Sequence, residues 1–168
     1  MIFYYSATGN TRCAARFLAH RLDTRLVDIT QPDGLLSVPH KDEPVGFMFP
    51  IYCWGIPPVM SRFIRSLLEK LHPDSYLWTV ATCGDETGTA MRSLDRIVRS
   101  VRGRGADALF SLIMPNTYVM LPGFDVDSRE VETQKLQAAP GRLEQIARVV
   151  EDRASGIYTM SMKALSLR

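Results

Sequence analysis

The sequence predicts an α/β fold: a five-stranded parallel sheet with helices on both faces. Two observations carry this prediction. Short apolar runs rich in β-branched and aromatic residues alternate with segments of helical period along the chain. Each run ends in turn residues, and strands alternating with helices pair in parallel through right-handed crossovers. No internal repeat or low-complexity linker interrupts the alternation, so one domain over residues 1–156 is expected, with a tail at 157–168.

Met1–Tyr5 reads as the first buried strand, and residues 11–22 follow as a helix with Ala14, Ala15, Leu18 and Leu22 on one face. Arg25–Ile29 alternates as a second strand. The Pro- and Gly-rich stretch after it is a loop from which Leu35, Leu36 and Val38 are expected to pack down. Val45–Pro50 is the third strand. Pro57 and Pro58 stand where a helix should begin, and Val59, Met60, Phe63, Ile64, Leu67, Leu68 and Leu71 continue at helical spacing. Tyr76–Cys83 is the fourth strand. A helix over 89–102 buries Leu94, Ile97, Val98 and Val101 and turns Arg92, Arg96 and Arg99 outward. Ala108–Met114 is the fifth strand. Helical sequence resumes near Ser128, with Pro140-Gly141 expected to divide it into two helices and Gly156 to stop it.

Length and composition are those of an ordinary globular domain of 168 residues. No apolar run approaches the ~20 residues of a membrane helix, and the N-terminus lacks the pattern of a signal peptide. Three cysteines, none spaced C-x-x-C, speak for a reducing, cytoplasmic setting and against a metal or iron–sulfur site. The net charge is +2 with scattered arginines, which offers no nucleic-acid patch.

In such a sheet, ligands bind outside the carboxyl ends of the strands where strand order reverses. The first of these turns is "SATGNT", Ser6–Thr11. Unpaired N–H groups at a helix start favour an anion, Ser6, Thr8, Asn10 and Thr11 add donors, and Gly9 lets the backbone wrap closely. Neither G-x-x-x-x-G-K-[ST] nor G-x-G-x-x-G is present, so the turn is neither a nucleotide-hydrolysing loop nor a dinucleotide fingerprint. A phosphate that stays bound suits it. The competing reading is simple helix capping.

"YYSATGNT" resembles the phosphate-binding loop of flavodoxins, the small electron-transfer proteins that carry FMN. The order of elements agrees with that family to about residue 155. The resemblance implies a three-layer flavodoxin-like sandwich of strand order 2-1-3-4-5, with FMN as cofactor and Ser6, Ala7, Thr8, Gly9, Asn10 and Thr11 around its phosphate. The turn "PIYCWGIPP" would meet the flavin ring through Pro50, Ile51, Tyr52, Cys53, Trp54 and Gly55, with Tyr52 and Trp54 as stacking candidates. By the same resemblance the Trp54–Gly55 peptide is a candidate to flip its carbonyl toward flavin N5 in the one-electron-reduced state, a motion glycine tolerates. The turn "TCGDETG" would serve the pyrimidine edge through Thr82, Cys83, Gly84, Asp85 and Gly88. Asp85 and Glu86 would add negative charge there and lower the reduction potential; a solvated acidic turn is the alternative, favoured for Glu86.

Cys53 and Cys83 should converge on one pocket, as small apolar wall residues rather than a redox pair. "FPIYCWGIP", "TCGDETG" and the Met114–Tyr118 segment "MPNTY" are similar to the flavodoxin half of bacterial flavodoxin–ferredoxin fusion proteins, and Tyr118 could reach the ring edge. The clustered cysteines of their other half are missing, so the resemblance implies a stand-alone or trimmed flavodoxin part. No histidine falls near the three turns, and no cysteine has the spacing to arginine of the small tyrosine phosphatases.

The leading expectation is an FMN-bound carrier passing single electrons between redox proteins, with ferredoxin-like proteins as candidate partners, and with no catalytic residue, no metal, no nucleic acid and no membrane insertion. Flavodoxins are usually acidic and this chain is not; the Arg92, Arg96 and Arg99 stripe could dock an acidic partner or form a solvated face. One alternative is an FMN-dependent reductase or oxidase acting on a quinone or similar small substrate. Another is a flavin-free module that binds a phosphate ligand. The sequence sets no oligomeric state.

Overall fold

The computed structural model describes residues 1–31, 38–119 and 125–161. Its elements run β1 (Ile2–Tyr4), α1 (Asn10–Arg21), β2 (Leu26–Asp28), β3 (Val45–Pro50), α2 (Pro58–Leu68), β4 (Leu77–Cys83), α3 (Ala90–Arg102), β5 (Ala108–Ile113), α4 (Arg129–Glu151) and β6 (Gly156–Tyr158). All strand pairs are parallel, in the order β2-β1-β3-β4-β5-β6. Strand order reverses at β1, with β2 on one side and β3 on the other, so the turns after β1 and β3 open at the switch point.

The alternation of strand side chains sorts the core into two layers. Phe3, Phe47 and Phe49 face α2 and α3, where they meet Met60, Ile64 and Leu94. Ile2, Met48, Trp78, Val80 and Phe110 face α1 and α4, where they meet Ala15, Leu18, Leu143 and Ile146. Both faces of the sheet are covered, as the near-continuous apolar strands require.

The structure corrects the sequence reading in two places. The sheet has six strands rather than five: Gly156, expected as a helix stop, begins β6, so the sheet extends past residue 156 to Tyr158. Tyr158 stacks on Phe110 with ring centroids 5.0 Å apart, and the Gly156 N–H bonds to the Asp107 carbonyl. Helix α4 is continuous through Pro140 instead of dividing there. Proline forfeits one backbone bond, but its ring lies on the exposed side while Ala139, Leu143, Ile146, Ala147 and Val150 keep one buried stripe against the sheet. Arg21 of α1 ties this second half down through Glu144 and Glu151.

Leu35 and Leu36 lie outside the described residues, and Val38 is 47% exposed rather than packed down. No described helix is long and apolar enough to cross a membrane.

Candidate functional site

Each of the turns after β1, β3 and β4 starts from an anchored strand end. Tyr5 N–H bonds to the Met48 carbonyl, Ile51 N–H to Thr82 and Met114 N–H to Cys83, so the ladder carries on past the strands and aligns the loops. Between these loops lie two adjoining cavities of about 210 and 780 Å³. Both are walled by Ile51, Tyr52, Cys83, Gly84, Asn116 and Tyr118.

The smaller cavity sits at the start of α1. Ser6, Ala7, Thr8, Asn10 and Thr11 line it together with Pro50, Thr82 and the Met114–Tyr118 segment, and among the described residues its lining holds no charged side chain. Gly9 is the N-cap of α1, at φ +105°, and no side chain caps the helix. The first-turn N–H groups therefore keep the unpaired donors that simple capping would have consumed. Ser6 Oγ accepts the Gly9 N–H at 3.2 Å and retains its own proton to donate. The other side chains are partly engaged. Asn10 Nδ2 donates to the Pro115 carbonyl at 2.9 Å, Thr8 and Thr117 hydroxyls meet at 3.4 Å, and Thr11 and Thr82 share a buried hydroxyl bond of 2.7 Å. These contacts fasten the first turn to β4 and to the loop after β5.

The larger cavity is lined by Tyr52, Cys53, Trp54, Cys83, Gly84, Asp85 and Glu86, and by Asn116, Tyr118, Asp127, Val131 and Lys135. Tyr52 and Trp54 are 40% and 52% exposed, aromatic surface that a flat ligand would cover. Residues 52–55 form a tight turn closed by Tyr52 and Gly55, each donating its N–H to the other's carbonyl. Its left-handed positions are Cys53 (φ +45°) and Trp54 (φ +58°), not Gly55. Two non-glycine residues held this way store backbone strain, about 1–3 kcal/mol each.

The Trp54 carbonyl, a candidate to turn toward a ligand, is instead engaged by both the N–H and the hydroxyl of Thr89, at 3.1 Å each. Gly88 does not line either cavity. It lies behind Trp54 at φ +53°, where a Cβ would come within 2.4 Å of the Trp54 Cβ. Gly9 and Gly55 likewise shape the turns without lining the cavities; the other sequence-derived site residues all line one or both.

Cys53 and Cys83 do share the larger cavity, with unequal chemistry. Cys53 is exposed, whereas burial pushes the Cys83 thiol up to about 12, Asp85 and Glu86 adding to the rise and Lys135 opposing it. A protonated thiol is a poor nucleophile, which suits Cys83 as a wall residue. Iodoacetamide applied to the native chain at about pH 8 is expected to label Cys13 and Cys53 and to spare Cys83 until the chain is denatured. Mass spectrometry of the adducts checks this.

Asp127, Val131 and Lys135 are the part of the wall that the sequence did not disclose. Lys135 and Asp127 form an ion pair of 2.6 Å, and Asp127 also accepts the Asn116 N–H at 2.7 Å. Asn116 Nδ2 reaches the Asp125 carbonyl, and a Cβ on Gly84 would come within 3.2 Å of Asn116. The pair thus locks the loop after β5 against both α4 and the turn after β4. His20, His40 and His72 line neither cavity.

No protein-family model and no curated protein sequence matches the chain. Solved structures do. The rubredoxin oxygen:oxidoreductase from the anaerobe Desulfovibrio gigas superposes with a TM-score of 0.50 at 16% identity, over 90% of this chain and 36% of that one. The flavodiiron core from Synechocystis sp. superposes with a TM-score of 0.52 at 12% identity, over 89% of this chain and 36% of that one. A WrbA-like flavodoxin from Agrobacterium tumefaciens is 16% identical, with 88% and 95% of the two chains covered and a TM-score of 0.49. The fold is flavodoxin-like. The sixth strand extends that order at the β5 edge without touching the switch point. The chain spans 36% of the length of each of the first two structures.

Proposed function

We propose that the chain binds flavin mononucleotide across the two cavities and passes single electrons between redox partners. The observation that carries this reading is the pairing of the cavities. An uncapped helix start lined by hydroxyls opens directly into a wider chamber walled by exposed aromatic residues. The first suits a phosphate, and the second suits a flat ring of drug-like size. A bound flavin supplies reversible electron storage. Ser6, Thr8 and the first-turn N–H groups of α1 would hold its phosphate, while Tyr52 and Trp54 would flank its ring and shield it from water. The exposure of those two aromatics keeps the ring end within reach of a docking protein.

Among the described residues Arg92 and Arg96 are exposed on α3, whereas Arg99 is paired with Asp95 at 2.7 Å. Two cations remain as a modest surface for an acidic, ferredoxin-like partner. A second reading, a flavin-dependent reductase of a quinone or similar small molecule, is favoured by the polar Asp127–Lys135 wall facing the ring-end chamber. Stopped-flow mixing of the photoreduced protein with oxidised ferredoxin and, separately, with a naphthoquinone tests the choice. Rapid oxidation by the protein acceptor and slow oxidation by the quinone are expected. The reverse pattern would replace the carrier with the reductase.

A further inference from the structure

We propose that Lys135 donates to the ring-end ligand and favours its reduced form, acting as a redox-setting residue within the flavin site proposed above. The inference rests on how the ammonium is satisfied. Lys135 is 2% exposed, and its one hydrogen bond among the described residues goes to Asp127 Oδ2. An ammonium carries three donors, so two are left over for whatever occupies the cavity. Lys135 lines the larger cavity, and an acceptor bound there can take them.

The pair is neutral as a whole, but its hydrogen-bonding capacity is spent unevenly. Asp127 spends the same oxygen on two donors, the Lys135 ammonium and the Asn116 N–H. The Asn116 N–H takes up part of the carboxylate's acceptor capacity, whereas two of the ammonium's donors stay unspent. What the pair offers a ligand is therefore an ammonium donor. A carbonyl- or imide-bearing heterocycle matches that chemistry, and two-electron reduction of flavin at neutral pH adds negative charge to such a ring. In a cavity of low dielectric this charge is felt more strongly than in water. Asp85 and Glu86, which line the same cavity, pull the other way, so the potential is set by a balance of identifiable groups.

The test compares the dissociation constants of oxidised and dithionite-reduced FMN for the full chain and for two single variants, K135M and D127N. Removal of the cation is expected to weaken reduced FMN about tenfold relative to oxidised FMN, equivalent to about 30 mV for a two-electron couple. D127N frees the cation and is expected to shift the same ratio several-fold in the opposite direction. Opposite signs are the signature, because structural damage weakens both forms in both variants. If K135M does not fold, the D127N shift alone decides. An unchanged ratio, or a shift of the same sign in both variants, overturns the role of Lys135 while leaving the flavin site intact. Failure of the unmodified chain to bind FMN overturns the flavin site itself, and this inference with it.

Discussion

Thr8→Asp is expected to cost about 100-fold or more in FMN affinity while leaving riboflavin affinity within about threefold. Thr8 is exposed on the lining of the smaller cavity, one residue before the N-cap of α1. A carboxylate there would occupy the helix end that a phosphate needs and would repel it directly, a like-charge opposition worth several kcal/mol. The same carboxylate is favourable to the empty protein, because a negative charge near a helix N-terminus stabilises by about 0.3–1 kcal/mol. The variant should therefore melt at or above the temperature of the parent chain and yet lose FMN. Fluorescence titration with FMN and riboflavin, beside a thermal melt, reads both effects. Equal losses for the two ligands would mean that the phosphate lies elsewhere.

Gly46→Ala is expected to destabilise the fold by about 3 kcal/mol, at the upper end of overpacking losses. Gly46 lies in β3 between Ile2 of β1 and Trp78 of β4. A Cβ there would come within 2.3 Å of Trp78 Cζ2 and 2.5 Å of Cε2. The indole is 1% exposed and is packed in the layer shared with α1 and α4, so it has no free volume to enter. The methyl would press on the indole at the start of β3 and β4, the end of the sheet away from the site. Urea denaturation measures the loss as a lower midpoint at constant slope. A change below about 0.5 kcal/mol would mean that Trp78 repacks freely.

The central strands and their helices were legible because burial on both sides leaves an uninterrupted apolar signature between turn clusters. Ser6–Thr11 stood out as a candidate for a related reason: hydroxyl and amide groups crowd a strand-to-helix junction where the helix needs few of them, and all but Gly9 line the smaller cavity. What escaped the sequence depends on tertiary contacts. Three-residue β6 has one outward residue, Ile157 at 73% exposure, so it shows no alternation to read. Pro140 argues locally for a break, and the packing of Leu143 through Val150 overrides it. Lys135 reads as one more solvated helix cation, since its partner Asp127 precedes the helix and lies at no helical spacing from it. In the turn after β3, glycine marked the junction but not the strained positions. Closure by the Tyr52–Gly55 pair places the positive φ angles on Cys53 and Trp54.

In the proposed function, the two adjoining cavities hold the phosphate and ring ends of one flavin mononucleotide. Calorimetric titration of the unmodified chain with FMN and with riboflavin tests it most directly. A bound phosphate gaining two charge-assisted bonds is worth a factor of about 100 or more, so FMN is predicted to bind at least that much more tightly than riboflavin. Equal affinities, or no heat and no fluorescence change with FMN, would contradict it.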